Sequence, residues 1–373
     1  MSNDFNEKTA EVGNFIKCVG CGGNLKFAPG TEHLNCEYCG AKNEIKPTEG
    51  AATVIEENDF ESFLNQVETS SEKNEVSTVK CDNCGASTTL KPNVISSTCP
   101  YCDTALVIKN ATTKNLIRPK YVLPFKIERK AANELFIKWV GGLWFAPGDL
   151  KRYAQNSAEK LNGVYMPFWT YDTDTTTRYT GMRGDHYYVS ESYTDAQGKS
   201  QTRQVQKTRW TGASGTVYNK FDDVLVCASK SLPEKLTRDL EPWDLPALVG
   251  HDDRYLSGFV TESYQVELKA GFDTAKTIMS PIIRTTICSD IGGDVQQVTT
   301  QSSDYNNITF KHILLPLWIS AYRYNDKVYR FMINARTGEV QGERPWSTAK
   351  ILLTVLAAVA ISVGIWYFAT RKG

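Results

Sequence analysis

The chain has 373 residues, enough for two or three domains, and 41% of them are hydrophobic and 11% aromatic, which excludes a disordered chain. A formal net charge of zero hides an asymmetry, because residues 1–110 carry 16 Asp and Glu against 9 Lys and Arg while the rest of the chain carries the compensating +7. Nucleic acids are held through Lys and Arg on their phosphates, so the acidic N-terminal part disfavours DNA or RNA as its partner and favours protein.

Residues 1–14 are polar and mixed in charge, without the basic start and apolar run of a secretory signal. Residues 15–47 contain Cys18, Cys21, Cys36 and Cys39, which read Cys-x-x-Cys, 14 intervening residues, Cys-x-x-Cys. The same spacing recurs without insertion at Cys81, Cys84, Cys99 and Cys102, within residues 80–110. Two thiolates on one tight turn present two sulfurs to an ion, and a second such turn closes a tetrahedron that suits zinc. Gly22, Gly40 and Gly85 follow the second Cys of a turn, where positive φ is needed, and Asp103 takes that place in the fourth. Each unit is expected to be a zinc ribbon, two knuckles joined by a short hairpin, and two Zn2+ ions bound by complete ligand sets are expected to be structural. A disulfide framework and redox or iron–sulfur use of the Cys-x-x-Cys pairs are the rival readings of the same cysteines. His33, three residues before Cys36, reads as a loop residue because four thiolates already fill the site.

Residues 48–79 read as a linker in which Asn58 caps a short helix carrying Phe60, Phe63, Leu64 and Val67, packed on a ribbon. Ser70 to Ser77 reads as flexible, leaving the ribbons independently mobile, and residues 111–120 read as a hinge.

From residue 121 to 346 the texture is that of an α+β domain with an antiparallel sheet. YVLPFKI reads as a strand, Leu135 to Val140 as a helix ending at Gly141 and Gly142, and a second helix begins near Asp149. VYMPFWTYD is β-rich, Asp185 to Trp210 forms a long hairpin turning at DAQGK, and DVLVCAS is a strand. A short helix over PEKLTRDL and a long one from Glu267 to Ser289 precede a meander of ITFKHILLPLWISAYRY, KVYRFMIN and GEVQGERP. GVYMPFWTYD and ILLPLWISAY share an apolar-Pro-apolar-Trp core, which is either a twofold repeat or two unrelated buried strands. Cys227 and Cys288 read as buried thiols. Asp172 with Asp174, Asp222 with Asp223 and Asp252 with Asp253 read as solvated loop pairs, and Lys199, Arg203, Lys207 and Arg209 as an exposed strand face.

Residues 350–370 form the last element. The uncharged run 351–369 would span roughly 29 Å as a helix, about one hydrocarbon core. Trp346, Lys350, Trp366, Tyr367, Arg371 and Lys372 bracket it as interfacial residues do, so a single-pass tail anchor in the lipid bilayer is expected. Flanking charges nearly tie, and the metal-binding thiolates place the bulk of the chain in the reducing cytosol.

No phosphate-cradling G-x-x-x-x-G-K-[ST] loop, H-E-x-x-H, G-x-S-x-G or post-strand G-x-G-x-x-G occurs, so no catalytic site is assigned. The motifs CVGCGG, CEYCGA, CDNCGA, LNGVYMPFWTYD, FDDVLVCASKSLP and TFKHILLPLWISAYRY resemble those of a bacterial family of membrane-anchored double-zinc-ribbon proteins, the YdjG type. Its members often carry labels of primosomal protein N-prime, helicase-like or TFIIB-type zinc-ribbon proteins. The resemblance implies two ribbons, a membrane tether and, by association with phage-shock proteins, a place in membrane-stress assemblies. The expected function is a non-enzymatic, membrane-tethered adaptor that binds partner proteins. A nucleic-acid-associated replication or transcription factor, and ligand or lipid binding by the α+β domain, are the alternatives.

Overall fold

The computed structural model describes residues 16–45, 55–67, 73–81, 87–89, 96–99, 101, 105–107, 112–152, 161–194, 198–325 and 327–371. The first three strands, β1 (Leu25–Phe27), β2 (His33–Cys36) and β3 (Lys42–Glu44), make an antiparallel sheet in the order β1-β2-β3. His33 therefore opens a strand and is not a loop residue. Strand β4 (Asn58–Asp59) leads into helix α1 (Phe60–Val67), which is capped by Asp59 and not by Asn58: the Ser62 N–H donates to Asp59 Oδ1 at 2.7 Å. Among the described residues the helix packs on the main sheet and not on a ribbon. Phe60 and Phe63 sit against Phe310 of the main sheet, with ring centroids 6.3 and 5.0 Å away, and β4 pairs with the same strand.

Strands β5 (Lys73–Lys80), β6 (Ser87–Thr89), β7 (Ser96–Thr98), β8 (Ala105–Val107) and β9 (Thr112–Ile117) follow. The segments read as flexible linker and hinge are antiparallel partners, with register Lys73↔Ile117 through Thr78↔Thr112. Each is too polar to announce a strand alone, and each satisfies the other's backbone groups.

The main body runs through β10 (Tyr121–Val122), α2 (Arg129–Gly141), β11 (Asn162–Thr194), β12 (Ser200–Cys227), α3 (Glu234–Arg238), β13 (Val249–Gly250), α4 (Asp253–Leu256), β14 (Val260–Thr261), α5 (Leu268–Ile291), β15 (Val295–Tyr324), β16 (Lys327–Asn334), β17 (Val340–Gly342) and α6 (Thr348–Arg371). The expected strand at YVLPFKI shrinks to two residues. Near Asp149 only residues 150–152 of the second expected helix are helical among those described. The hairpin is much longer than residues 185–210, because VYMPFWTYD and DVLVCAS continue its two arms from Phe168↔Cys227 to Thr194↔Ser200, with one shift of register at a bulge between Tyr171 and Thr173.

The central strands β11 and β15 are antiparallel neighbours, paired from Asn162↔Ile319 to Gly184↔Val295. Both faces are covered near the middle, which is why these strands read as unbroken apolar runs. On one face Tyr165, Trp169, Leu314 and Trp318 pack under α2 and α5, and on the other Met166, Phe168, Leu315 and Leu317 pack against residues 232–248.

The apolar-Pro-apolar-Trp echo belongs to a pseudo-twofold repeat. Met166 pairs with Leu315, its own counterpart in the other copy. Trp169 Nε1 donates to the Val266 carbonyl and Trp318 Nε1 to the Ile127 carbonyl, both at 2.8 Å, and each carbonyl lies just before a helix opening Glu-x-Lys-Ala. Ala228 N–H to Pro167 O at 3.0 Å is matched by Ala335 N–H to Pro316 O at 3.1 Å. Glu262 N–H to Tyr165 O at 3.0 Å is matched by Leu123 N–H to Leu314 O at 2.9 Å. Short parallel strands are exchanged in the same way, β10 pairing with β15 and β14 with β11.

Candidate metal centre

The two halves of the first cysteine quartet are built alike. Cys18 N–H donates to Gly23 O at 2.7 Å and Gly22 N–H to Cys18 O at 2.8 Å; Cys36 N–H donates to Ala41 O and Gly40 N–H to Cys36 O, both at 3.0 Å. Gly22 and Gly40 take φ of 73° and 72°, the left-handed conformation expected after the second Cys of each turn. Gly85 and Asp103 lie outside the described residues.

These turns bring the sulfurs of Cys18, Cys21, Cys36 and Cys39 within 4.8 Å of one another. Cys18 and Cys39 Sγ are 3.6 Å apart, and Cys21 and Cys36 Sγ are 3.4 Å apart. Four sulfurs at 2.3 Å from zinc would be about 3.8 Å apart at the edges of a tetrahedron, so the donor set fits a metal ion in number, chemistry and spacing. The Cys39 and Tyr38 N–H groups hold the Cys36 thiol down to about 6, and those of Gly20 and Cys21 lower Cys18. Cys21 is pushed up to about 12: the Gly23 N–H favours its thiolate, but the sulfurs of Cys36, Cys39 and Cys18 together with burial outweigh it. Such crowded thiols need a cation before all can ionise.

The cluster is seated on the body, so this unit is not independently mobile. Leu25, Phe27 and Leu34 are buried, Phe27 meets Tyr255 at 5.2 Å between ring centroids, and Phe27 N–H bonds Ser257 O at 3.0 Å. Gly30 N–H bonds Phe125 O at 2.9 Å.

In the second quartet Cys81 and Cys99 are buried against the face of the sheet opposite the helices, while Cys84 and Cys102 lie outside the described residues. The pairs Lys80↔Ser87 and Thr98↔Ala105 sit 63 positions beyond Lys17↔Asn24 and Asn35↔Lys42, so both knuckles repeat the register of the first unit. The environments nonetheless differ, for Tyr38 is 78% exposed and its counterpart Tyr101 is fully buried. Tyr101 donates to the buried Glu262 carboxylate, which also accepts from Ser229 Oγ at 2.8 Å, from Ser231 and from Gln265 Nε2 at 3.0 Å. Sequence reasoning missed Glu262, which nothing in its local pattern marks.

A second acidic group is also assembled. Glu57, Asp172 and Asp222 bring carboxylate oxygens within 4.8 Å, on β4's lead-in and on bulged positions of β11 and β12. Asp172 is half-buried in a strand and not in a solvated loop. Lys311, 4% exposed, reaches Glu57 at 2.6 Å and Asp223 at 2.7 Å. Burial raises the Asp172 carboxyl and the adjoining Glu57 raises it further; the hydrogen bonds from Asp172 and Lys311 hold Glu57 down despite its own burial. The Lys311 ammonium and the raised Asp172 carboxyl lessen the negative charge of this cluster without cancelling it. Asp252 pairs with Arg254, and Arg203 and Lys207 pair with Glu191 on the exposed hairpin. Cys227 and Cys288 are half-buried.

Helix α6 includes a stretch Thr348–Tyr367 that is long and apolar enough to cross a membrane, and none of that window is buried in the protein. Trp346, Trp366 and Tyr367 are exposed at its two ends, Arg371 closes the helix, and Lys372 lies outside the described residues. Lys350 Nζ reaches the carbonyls of Trp144 and Ala146 at 3.1 and 2.8 Å.

No protein-family model matches the chain, and no solved structure does. The chain is similar to the uncharacterized protein YdjG of Bacillus subtilis (strain 168), 24% identical over 339 residues that cover 90% of this chain and 91% of that protein.

Proposed function

We propose that the protein is a membrane-tethered adaptor, with two structural zinc ribbons fixed to an α+β body and a single apolar helix in the bilayer, and that it binds partner proteins on the cytosolic side without catalysing a reaction. The observation that carries this reading is the placement of two features at opposite ends of one sheet. Strand β11 starts beside the end of β15 that leads towards α6, and runs on for 33 residues to the hairpin tip. At about 3.3 Å per residue that is roughly 100 Å of strand. The far end exposes Tyr187, Tyr188, Tyr193 and Trp210, side chains that suit a protein contact, at a distance from the tether.

Four thiolates leave no coordination position for a substrate, which supports a structural metal. The likeness to YdjG over nearly the full length of both chains supports ribbons, body and helix as one architecture. A membrane-stress assembly is the setting that the resemblance implies. A second reading, ligand binding by the body, is favoured by a cavity of about 280 Å³ between the base of the hairpin and α5, lined by Phe168, Cys227, Arg238 and Ile278.

The test is proximity labelling in cells with the full chain, the Cys36→Ser variant, and a variant lacking residues 187–207 in which His186 and Thr208, which are paired in the hairpin, are joined by Asn-Gly. The adaptor reading expects neighbours that are lost from one or both variants. An identical set of neighbours in all three, or a salt-sensitive DNA shift by the purified protein, would count against it.

A further inference from the structure

The loop of residues 143–147 is remote from α6 in sequence but is bound to its root. Ser347 N–H donates to Phe145 O at 2.7 Å, and the Phe145 and Trp346 rings lie 6.3 Å apart. The Lys350 ammonium rests on the carbonyls of Trp144 and Ala146. Trp144 itself projects from the loop and is 76% exposed, although indoles are ordinarily among the more buried side chains. Arg344 stacks over Trp346 at 4.3 Å.

The uncharged run begins at Ile351, one residue after Lys350. A lysine side chain reaches about 6 Å and a helix rises 1.5 Å per residue, so whatever Lys350 holds lies within a few ångströms of the level at which the apolar surface starts. If that surface is in hydrocarbon, the loop is at the headgroups, where an indole gains from burying its ring while its N–H stays wet.

We infer that residues 143–147 form a second membrane contact, with Trp144 seated in the headgroup layer beside Trp346, so that the bilayer holds the body at two points and fixes its tilt. The inference rests on α6 being a membrane span. One point of attachment would let the body swivel about residues 346–348. Two points, bridged by Lys350, hold the β11–β12 hairpin at a defined angle to the membrane.

The experiment is hydroxyl-radical footprinting of the full chain in sealed phosphatidylethanolamine and phosphatidylglycerol vesicles, reading oxidation at Trp144, Trp210, Trp366 and Tyr367 by mass spectrometry. Trp210, at the far end of the sheet and 43% exposed, is the internal reference. By exposure in the protein alone Trp144 should oxidise faster than Trp210; membrane contact inverts that order, with Trp144 several-fold slower. Trp144 faster than Trp210 while Trp366 and Tyr367 are protected overturns the inference and leaves the anchor standing. Trp366 and Tyr367 oxidised as fast as Trp210 removes the span, and the inference with it. Protection of Trp144 that vanishes on dilution to one chain per vesicle, with Trp366 still protected, assigns the loop to a second copy of the chain instead of lipid.

Discussion

Cys36 and Cys227 separate two kinds of thiol. Cys36 is buried in a knuckle whose amides favour its thiolate, whereas burial pushes the Cys227 thiol up to about 12, against the Ser229 N–H that favours its thiolate. Cys36→Ser is expected to lower zinc by about one ion per chain and to expose residues 16–45 to limited proteolysis, while Cys227→Ser leaves the metal content unchanged; elemental analysis and peptide mapping check both. His312 carries a pH dependence of a different origin. Its Nδ1 lies 3.0 Å from Ile117 O, its ring lies 4.5 Å from that of Trp169, and burial pulls its pKa down to about 4. In the unfolded chain the ring takes a proton near pH 6.5, while the native ring stays neutral until about 4. The favourable state is therefore fully present above about 6.5, and stability falls by a few kcal/mol as the pH drops to about 4. Urea unfolding across that range should show a shallower fall for His312→Gln than for the unaltered protein. The cysteine spacing and the glycines after it made the first site legible from the sequence; the burial of His312, Lys311 and Glu262 was not, because their burial is created by strands and helices distant in the chain.

Helix α5 shows how an element is fitted to its sheet. Tyr171 Oη donates to Leu268 O at 2.7 Å, and a Cβ on Gly271 would press on that hydroxyl and lie 2.9 Å from Trp169 Cδ1. Gly271→Ala gains up to about 1 kcal/mol of helix propensity but meets an overpacking cost of about 1–3 kcal/mol, so a net loss of stability is expected. Gly141, at the end of α2, faces open space, and Gly141→Ala should be neutral or slightly stabilising by the same thermal or urea unfolding. The helices themselves were legible, since Phe136 and Val140, and Phe272, Ala275, Met279 and Ile283, recur at helical spacing on buried faces. Strands β5 and β9 were not, because their pairing is a property of two polar segments together. The extension of β11 past Tyr171 was hidden for a related reason. Thr173, Thr175 and Thr177 alternate inward beneath α5 with their hydroxyls bonded to backbone or Ser303, and a run this polar does not declare a buried face until the covering helix is known.

At the scale of the molecule the two halves of the body repeat each other about the Met166↔Leu315 pair, and the two cysteine units repeat each other along the chain, yet the units occupy different places. The first rests beside α2 and the second on the opposite face, with Tyr101 tied to Glu262. Each is packed against the body through core residues, and a metal held by the first quartet would stiffen a surface sooner than turn over substrate. The apolar helix leaves one end of this body and the hairpin tip the other, so the helix and the exposed aromatic side chains of the hairpin are far apart. The most direct test of this account is flotation of cell membranes bearing the full chain on a density gradient, followed by purification and zinc determination on the floated protein. The account predicts that the protein rises with the lipid and carries about two zinc ions per chain. Protein that stays at the bottom with α6 intact, or floats free of metal with its cysteines oxidised, would contradict it.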